Sequence, residues 1–149
     1  MKRDPNKLLE EFAKSGVIFD KIWFDAEGSL IVDSMKWCEN CTELKVGTTL
    51  LCINNMDVHD INVKGNLICK GYMNATDVFV KGNLTCDCDA NIGETVVLGD
   101  FICHGNMSSN GYKVIVHGDF TCEGNCNADV VVQGKFTCNG EHTGNYLKM

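Results

Sequence analysis

Cysteine carries the most versatile chemistry in this chain, and ten of its 149 residues are cysteines. Six of them, Cys52, Cys69, Cys86, Cys103, Cys122 and Cys138, follow one another at spacings of 17, 17, 17, 19 and 16. A row of thiols at a fixed period could in principle be a metal or redox device. Each one, however, stands two residues after a Leu or Phe and so shares the parity of an apolar, inward-facing position. A cysteine so placed behaves as a small hydrophobe, and burial raises a thiol pKa and slows its reactions. The expected role is core packing. Cys38 and Cys41 differ, forming a C-x-x-C beside Trp37 in a polar stretch outside the row. They are the weak candidates for a metal or redox site. A zinc site needs a second such pair or a Cys/His pair, and none lies at suitable spacing, so neither metal nor cofactor is expected.

The four histidines, His59, His104, His117 and His142, fall at different places relative to the cysteine row, with no acidic partner apparent in the sequence. There is no nucleophile–base pattern, phosphate loop or dinucleotide fingerprint. The chain does not read as an enzyme.

The cysteines belong to a longer unit, apolar-x-Val-x-Gly-x-(Leu/Phe)-x-Cys. It runs as Leu44-x-Val46-x-Thr48-x-Leu50-x-Cys52 and Ile61-x-Val63-x-Gly65-x-Leu67-x-Cys69, then Val78-x-Val80-x-Gly82-x-Leu84-x-Cys86. It continues as Thr95-x-Val97-x-Gly99-x-Phe101-x-Cys103, Val114-x-Val116-x-Gly118-x-Phe120-x-Cys122 and Val130-x-Val132-x-Gly134-x-Phe136-x-Cys138. Alternation with period two means strand with one face buried. About 17 residues are too few for a strand–helix–strand crossover, so each unit is one coil of an all-β, single-stranded parallel β-helix, a solenoid of about six turns. Equivalent residues then stack at roughly 4.8 Å, and crossover handedness is expected to be right-handed. The core ladder is Val46, Val63, Val80, Val97, Val116 and Val132, the Leu/Phe column, and the six cysteines. A second inward series, Met56 and Val58, Met73 and Ala75, Ala90 and Ile92, Met107, then Cys126 and Ala128, supplies a further side.

Glycine within each unit implies a bend where a Cβ would crowd a neighbour or where φ is positive. Asn54-Asn55, Asn74, Asp77, Asn91, Asn110-Gly111, Asn127 and Asp129 suit tight corners through their tolerance of the left-handed region. The 19-residue spacing predicts a protruding corner near Ser108 to Tyr112.

Residues 1–43 do not follow the repeat and read as an N-terminal cap. Asp4 N-caps a helix over about 5–14, with Pro5 at its first position, an apolar face of Leu8, Leu9 and Phe12, and Gly16 past its end. Apolar stretches at Val17 to Phe24 and Leu30 to Val32, joined by a turn at Asp25 to Gly28, predict a hairpin. Residues 44–144 form the solenoid and 145–149 a C-terminal tail. Terminal elements of this kind close the open end of a stack.

The outward-pointing residues three before each Gly place are Lys45, Asn62, Phe79, Val96, Ile115 and Val131. The last four would make a continuous apolar stripe, and an apolar patch of that length marks a contact surface. Phe79, Val96, Ile115 and Val131 are therefore the candidate interaction residues, facing another subunit or a protein partner unless a chain end folds over them.

Composition sets further bounds. The net charge of −7, with scattered Lys and Arg, argues against nucleic acid. No window reads as a signal peptide or transmembrane segment, so a cytoplasmic location is expected, where thiols stay reduced. The N-x-[ST] triplets at Asn40, Asn74, Asn83 and Asn106 are put down to the abundance of Asn, Ser and Thr.

The repeated V-x-V-x-G-x-(L/F)-x-C over Leu44 to Gly140 resembles the bactofilins, the polymer-forming cytoskeletal family. The resemblance implies a right-handed β-helix core, nucleotide-independent assembly into filaments, and scaffolding at a membrane surface. The preceding cap and the cysteine ladder depart from that family's pattern, and a capped end would block one polymerisation surface. The expectation is thus a structural or scaffolding protein, a homo-oligomer or filament. The alternative is a non-filament binding module, such as an inhibitor or immunity-like protein acting on one specific partner.

Overall fold

A computed structural model describes residues 18–36 and 43–149. It is all-β, a parallel solenoid of about seven turns. The chain opens with β1 (Ile18–Phe24) and β2 (Leu30–Lys36), followed by β3 (Leu44–Val46), β4 (Leu50–Cys52), β5 (Met56–Asp57) and β6 (Asp60–Val63). Next come β7 (Leu67–Cys69), β8 (Met73–Val80), β9 (Leu84–Cys86), β10 (Ala90–Val97), β11 (Phe101–Cys103) and β12 (Met107–Val116). The last are β13 (Phe120–Cys122), β14 (Cys126–Val132), β15 (Phe136–Cys138), β16 (His142–Thr143) and β17 (Tyr146–Lys148).

Register follows the repeat. Cys52 pairs with Cys69, Cys69 with Cys86, Cys86 with Cys103, Cys103 with Cys122, and Cys122 with Cys138. The Val column is aligned likewise from Val46 to Val132. Val46 through Val132 and Cys52 through Cys122 are buried, and Cys138 is half-buried near the end of the stack.

Two boundaries differ from the sequence reading. The hairpin is present, with β1 antiparallel to β2 about an Asp25–Gly28 turn in which the Asp25 carboxylate accepts from the Glu27 and Ser29 amides. Its second strand is also the first solenoid turn, since Leu30 pairs with Leu50, Val32 with Cys52 and Met35 with Met56. The solenoid therefore starts at Leu30, ahead of the expected Leu44, which gives seven turns where six repeats were read. Leu30 and Leu50 are 20 residues apart and Val32 takes the Cys place, so the motif does not register there. At the other end Tyr146–Lys148 is not a loose tail. It pairs in parallel with Val130–Val132 as the last strand. The expected helix over 5–14 lies outside the described residues.

The ends are unlike. β1 occupies the outer edge of β2 and sets Ile22 and Phe24 against the core. At the C-terminal end, β15, β16 and β17 have no described strand on their outer edges. The core there is closed by rings: Phe136 stacks on Phe120 at 5.4 Å and on Tyr146 at 4.6 Å, with His142 at 5.0 Å.

The corners are held by a device that local propensity does not reveal. At the Gly corner the side-chain oxygen of one turn accepts the backbone N–H of the next: Asn66 from Asn83 at 2.9 Å, Asn83 from Asp100, Asp100 from Asp119, and Asp119 from Lys135, the last three at 2.8 Å. Gly82, Gly99, Gly118 and Gly134 sit directly over these oxygens, and an added Cβ would strike both the side-chain oxygen and the backbone of the turn below. None of these glycines has positive φ. Crowding, not the left-handed region, dictates them. Positive φ is confined to Lys21, Asn110, Gly28, Gly111 and Gly144 among the described residues. Thus most corner Asn and Asp residues are not there for left-handed geometry; Asn110 is the exception. It lies with Gly111 in the expected protruding corner, where buried Ser109 donates to the Tyr112 carbonyl at 2.7 Å.

Candidate interaction surface

Parallel pairing turns any sequence column into a physical ladder. Phe79 pairs with Val96, Val96 with Ile115, and Ile115 with Val131. The four anticipated residues therefore stand side by side on one sheet face, about 4.8 Å apart. Phe79 is 37% exposed and the other three are partly exposed. β17 does not fold across them. It lengthens the ladder, because Val131 pairs with Leu147, which is 61% exposed. Leu147 belongs to the surface and was missed, having been assigned to a tail; its spacing of 16 residues from Val131 was the available signal. Lys45 and Asn62 continue the same column beyond Phe79, so the stripe has a polar end.

The thiol column lies inside. Each sulfur lies close to the carbonyl three residues on: Cys52 to Asn55 at 3.5 Å, Cys69 to Tyr72 at 3.4 Å, Cys86 to Asp89 at 3.5 Å, Cys103 to Asn106 at 3.7 Å and Cys122 to Asn125 at 3.4 Å. An S–H is a weak donor, so cysteine combines small apolar volume with partial satisfaction of an inward corner carbonyl, which Val or Ala cannot supply. The thiols also bond one another. The bond from Cys69 lowers Cys52, while the bond to Cys52 pushes Cys69 up to about 12. In Cys86 and Cys103 the bond from the next thiol lowers the pKa, but the bond to the preceding thiol and burial outweigh it, leaving both at about 12. Cys122 is held at about 12, first by its bond to Cys103, and Cys126 is raised by its bond to Cys122. These are groups poorly suited to nucleophilic work at neutral pH.

Cys38 and Cys41 lie outside the described residues. Cys88 is the exposed thiol among the described ones. The histidine reading needs one correction: His104 does have acidic partners, Glu123 at 2.9 Å and Asp87 at 3.8 Å, brought to it by adjacent turns. His104 and Glu123 are exposed and Asp87 is partly so, and Lys70 extends the row through Asp87 at 3.8 Å. Among the described residues no group of three or more His, Cys, Asp or Glu is arranged to hold a metal ion. Nor is any described helix long and apolar enough to cross a membrane.

A parallel β-solenoid with one long apolar ladder is the class these features define. No family model, curated protein or solved structure matches the chain.

Proposed function

We propose that this protein is a structural scaffold, not an enzyme, and that it self-associates through the face carrying Phe79, Val96, Ile115, Val131 and Leu147. The observation that carries the reading is the continuity of that ladder over five successive turns on one sheet face. Flat apolar faces of rigid repeat proteins gain by burial against a like surface, and a two-fold axis makes one patch complementary to itself. With β1 on the outer edge of β2, lateral association is favoured over growth from both ends of the stack. The bactofilin-like rhythm supports a scaffolding role in the cytoplasm, a compartment in which the thiol column stays reduced.

Phe79→Arg combined with Val131→Arg tests this. Circular dichroism is expected to match the parent, whereas sedimentation velocity over a concentration series should show association in the parent and a monomer in the double variant. A double variant that associates like the parent sinks the proposal. Loss of the fold in that variant would also sink it, because the ladder would then be covered from within the chain.

A further inference from the structure

A second surface, away from the apolar ladder, departs from the corner rule. At the second corner the residue after the Gly place runs Asn55, Tyr72, Asp89, Asn106, Asn125 and Glu141. Here too an oxygen of one turn accepts the amide of the next: Asn55 from Tyr72 at 3.1 Å, Asp89 from Asn106 and Asn106 from Asn125 at 2.8 Å, and Asn125 from Glu141 at 3.0 Å. Tyr72 breaks the series, having no short side-chain oxygen to offer the turn above. The next turn confirms the cause. Gly71, Gly105, Gly124 and Gly140 each sit over such an oxygen, while above Tyr72, where no such oxygen stands, the Gly place holds the exposed Cys88. One turn thus forgoes a corner hydrogen bond to present a phenol ring that is 47% exposed. Departures from an otherwise uniform structural rule concentrate at functional sites.

The ring stands in an open groove of about 540 Å³ shared with Asp89, Asn91, Asn106, Asn125 and Asn127. The ladder has already fixed what these side chains offer. Asn106 and Asn125 commit Oδ1 to backbone amides, so their Nδ2 donors remain for solvent, and Asp89 keeps its second carboxylate oxygen as an acceptor. Asn91 is oriented by the Asn110 amide at 2.7 Å. The Tyr72 backbone is pinned at both ends, its N–H on Asn55 and its carbonyl accepting from Met56 at 3.0 Å. The lining contains no Lys or Arg, and the chain carries a net charge of −7, which disfavours a polyanion. A flat aromatic face beside a repeating row of amide donors and a carboxylate acceptor fits the C–H face and hydroxyl rim of a sugar ring.

We infer that this groove binds an uncharged, extended oligosaccharide lying along the solenoid axis, with Tyr72 as the stacking platform and Asp89, Asn106 and Asn125 meeting successive hydroxyls. The site is preorganised, since its polar groups are held by the fold before a ligand arrives.

Isothermal titration with cellohexaose and with chitohexaose, and with hexagalacturonate as the charged control, tests the inference. Saturable binding of at least one neutral oligomer is expected, weakened about tenfold or more by Tyr72→Ala and largely retained in Tyr72→Phe. Asn106→Ala would disturb the corner as well as the groove, so Asn127→Ala, which makes no ladder bond, provides the polar arm and should weaken binding severalfold. Circular dichroism verifies that each variant is folded. No saturable binding of either neutral oligomer, equal binding by the Tyr72→Ala variant, or tighter binding of hexagalacturonate would each overturn it. Phe79→Arg with Val131→Arg should bind sugar like the parent, so this inference and the scaffold reading fail independently.

Discussion

Phe120 is the most informative single position in the core. It is fully buried, with Phe101 edge-on at 5.2 Å below it and Phe136 stacked at 5.4 Å and 8° above it. Truncation to alanine removes a buried ring, which costs about 3–5 kcal/mol, and two aromatic pairings worth about 0.5–1.5 kcal/mol each beyond burial. The parallel backbone on both sides prevents the cavity from collapsing, so the upper part of the range applies, about 5 kcal/mol. For a domain of this size each kcal/mol moves the thermal midpoint by about 2–4 °C, giving a fall of about 10–20 °C. Phe136 is half-buried at the open end and provides the internal comparison. Phe136→Ala should cost clearly less, since solvent already reaches the ring. Thermal and urea denaturation followed by circular dichroism measure both. An unchanged midpoint for Phe120→Ala, or equal losses for the two variants, would refute the stacking of turns on which the assignment of inside and outside rests.

Other expectations follow from the thiols and corners. Brief alkylation read by mass spectrometry should modify Cys88 ahead of Cys69, Cys86, Cys103 and Cys122; rapid labelling of the buried four contradicts their placement. Stability should fall as pH rises from about 9 toward 12, because the unfolded chain releases thiol protons near the ordinary value of 9.0 while these four hold theirs to about 12. A urea midpoint that stays level across that window refutes it. Gly99→Ala, whose Cβ would meet the Asn83 carboxamide and lie 2.7 Å from the Gly82 carbonyl, should cost about 1–3 kcal/mol by the same assay.

The inward columns were legible because two periods coincide, two residues within a strand and about 17 between turns. That coincidence fixes both face and register, and it places Phe79, Val96, Ile115 and Val131 together before any coordinates. Leu30–Lys36 escaped because its loop to the next copy is longer and Val32 replaces the cysteine. The corner ladder escaped for a different reason. Asn83 looks like an ordinary turn former in its own segment, and its purpose appears only when the Asp100 amide one turn later is set beside it. The same holds for His104, whose partners Asp87 and Glu123 are distant in sequence and adjacent in the stack. Tyr72 and Cys88 were visible as simultaneous departures in neighbouring columns, but their meaning required knowing what the columns do.

Every bond of the side-chain ladder at the corners runs in one direction along the chain, from a side-chain oxygen made earlier to an amide made later: Asn66 serves Asn83, Asn106 serves Asn125, Asp119 serves Lys135. Synthesis delivers the N-terminal part first, so each new coil arrives at a row of acceptors already set, and β1 with β2 provides the first such row. The molecule is in this sense wound from a seed. Loss of a late coil unpairs only the edge of the coil next to it, such as the Phe120 amide that the Lys135 carbonyl accepts from, whereas loss of the seed deprives all that follow of the surface onto which they are laid.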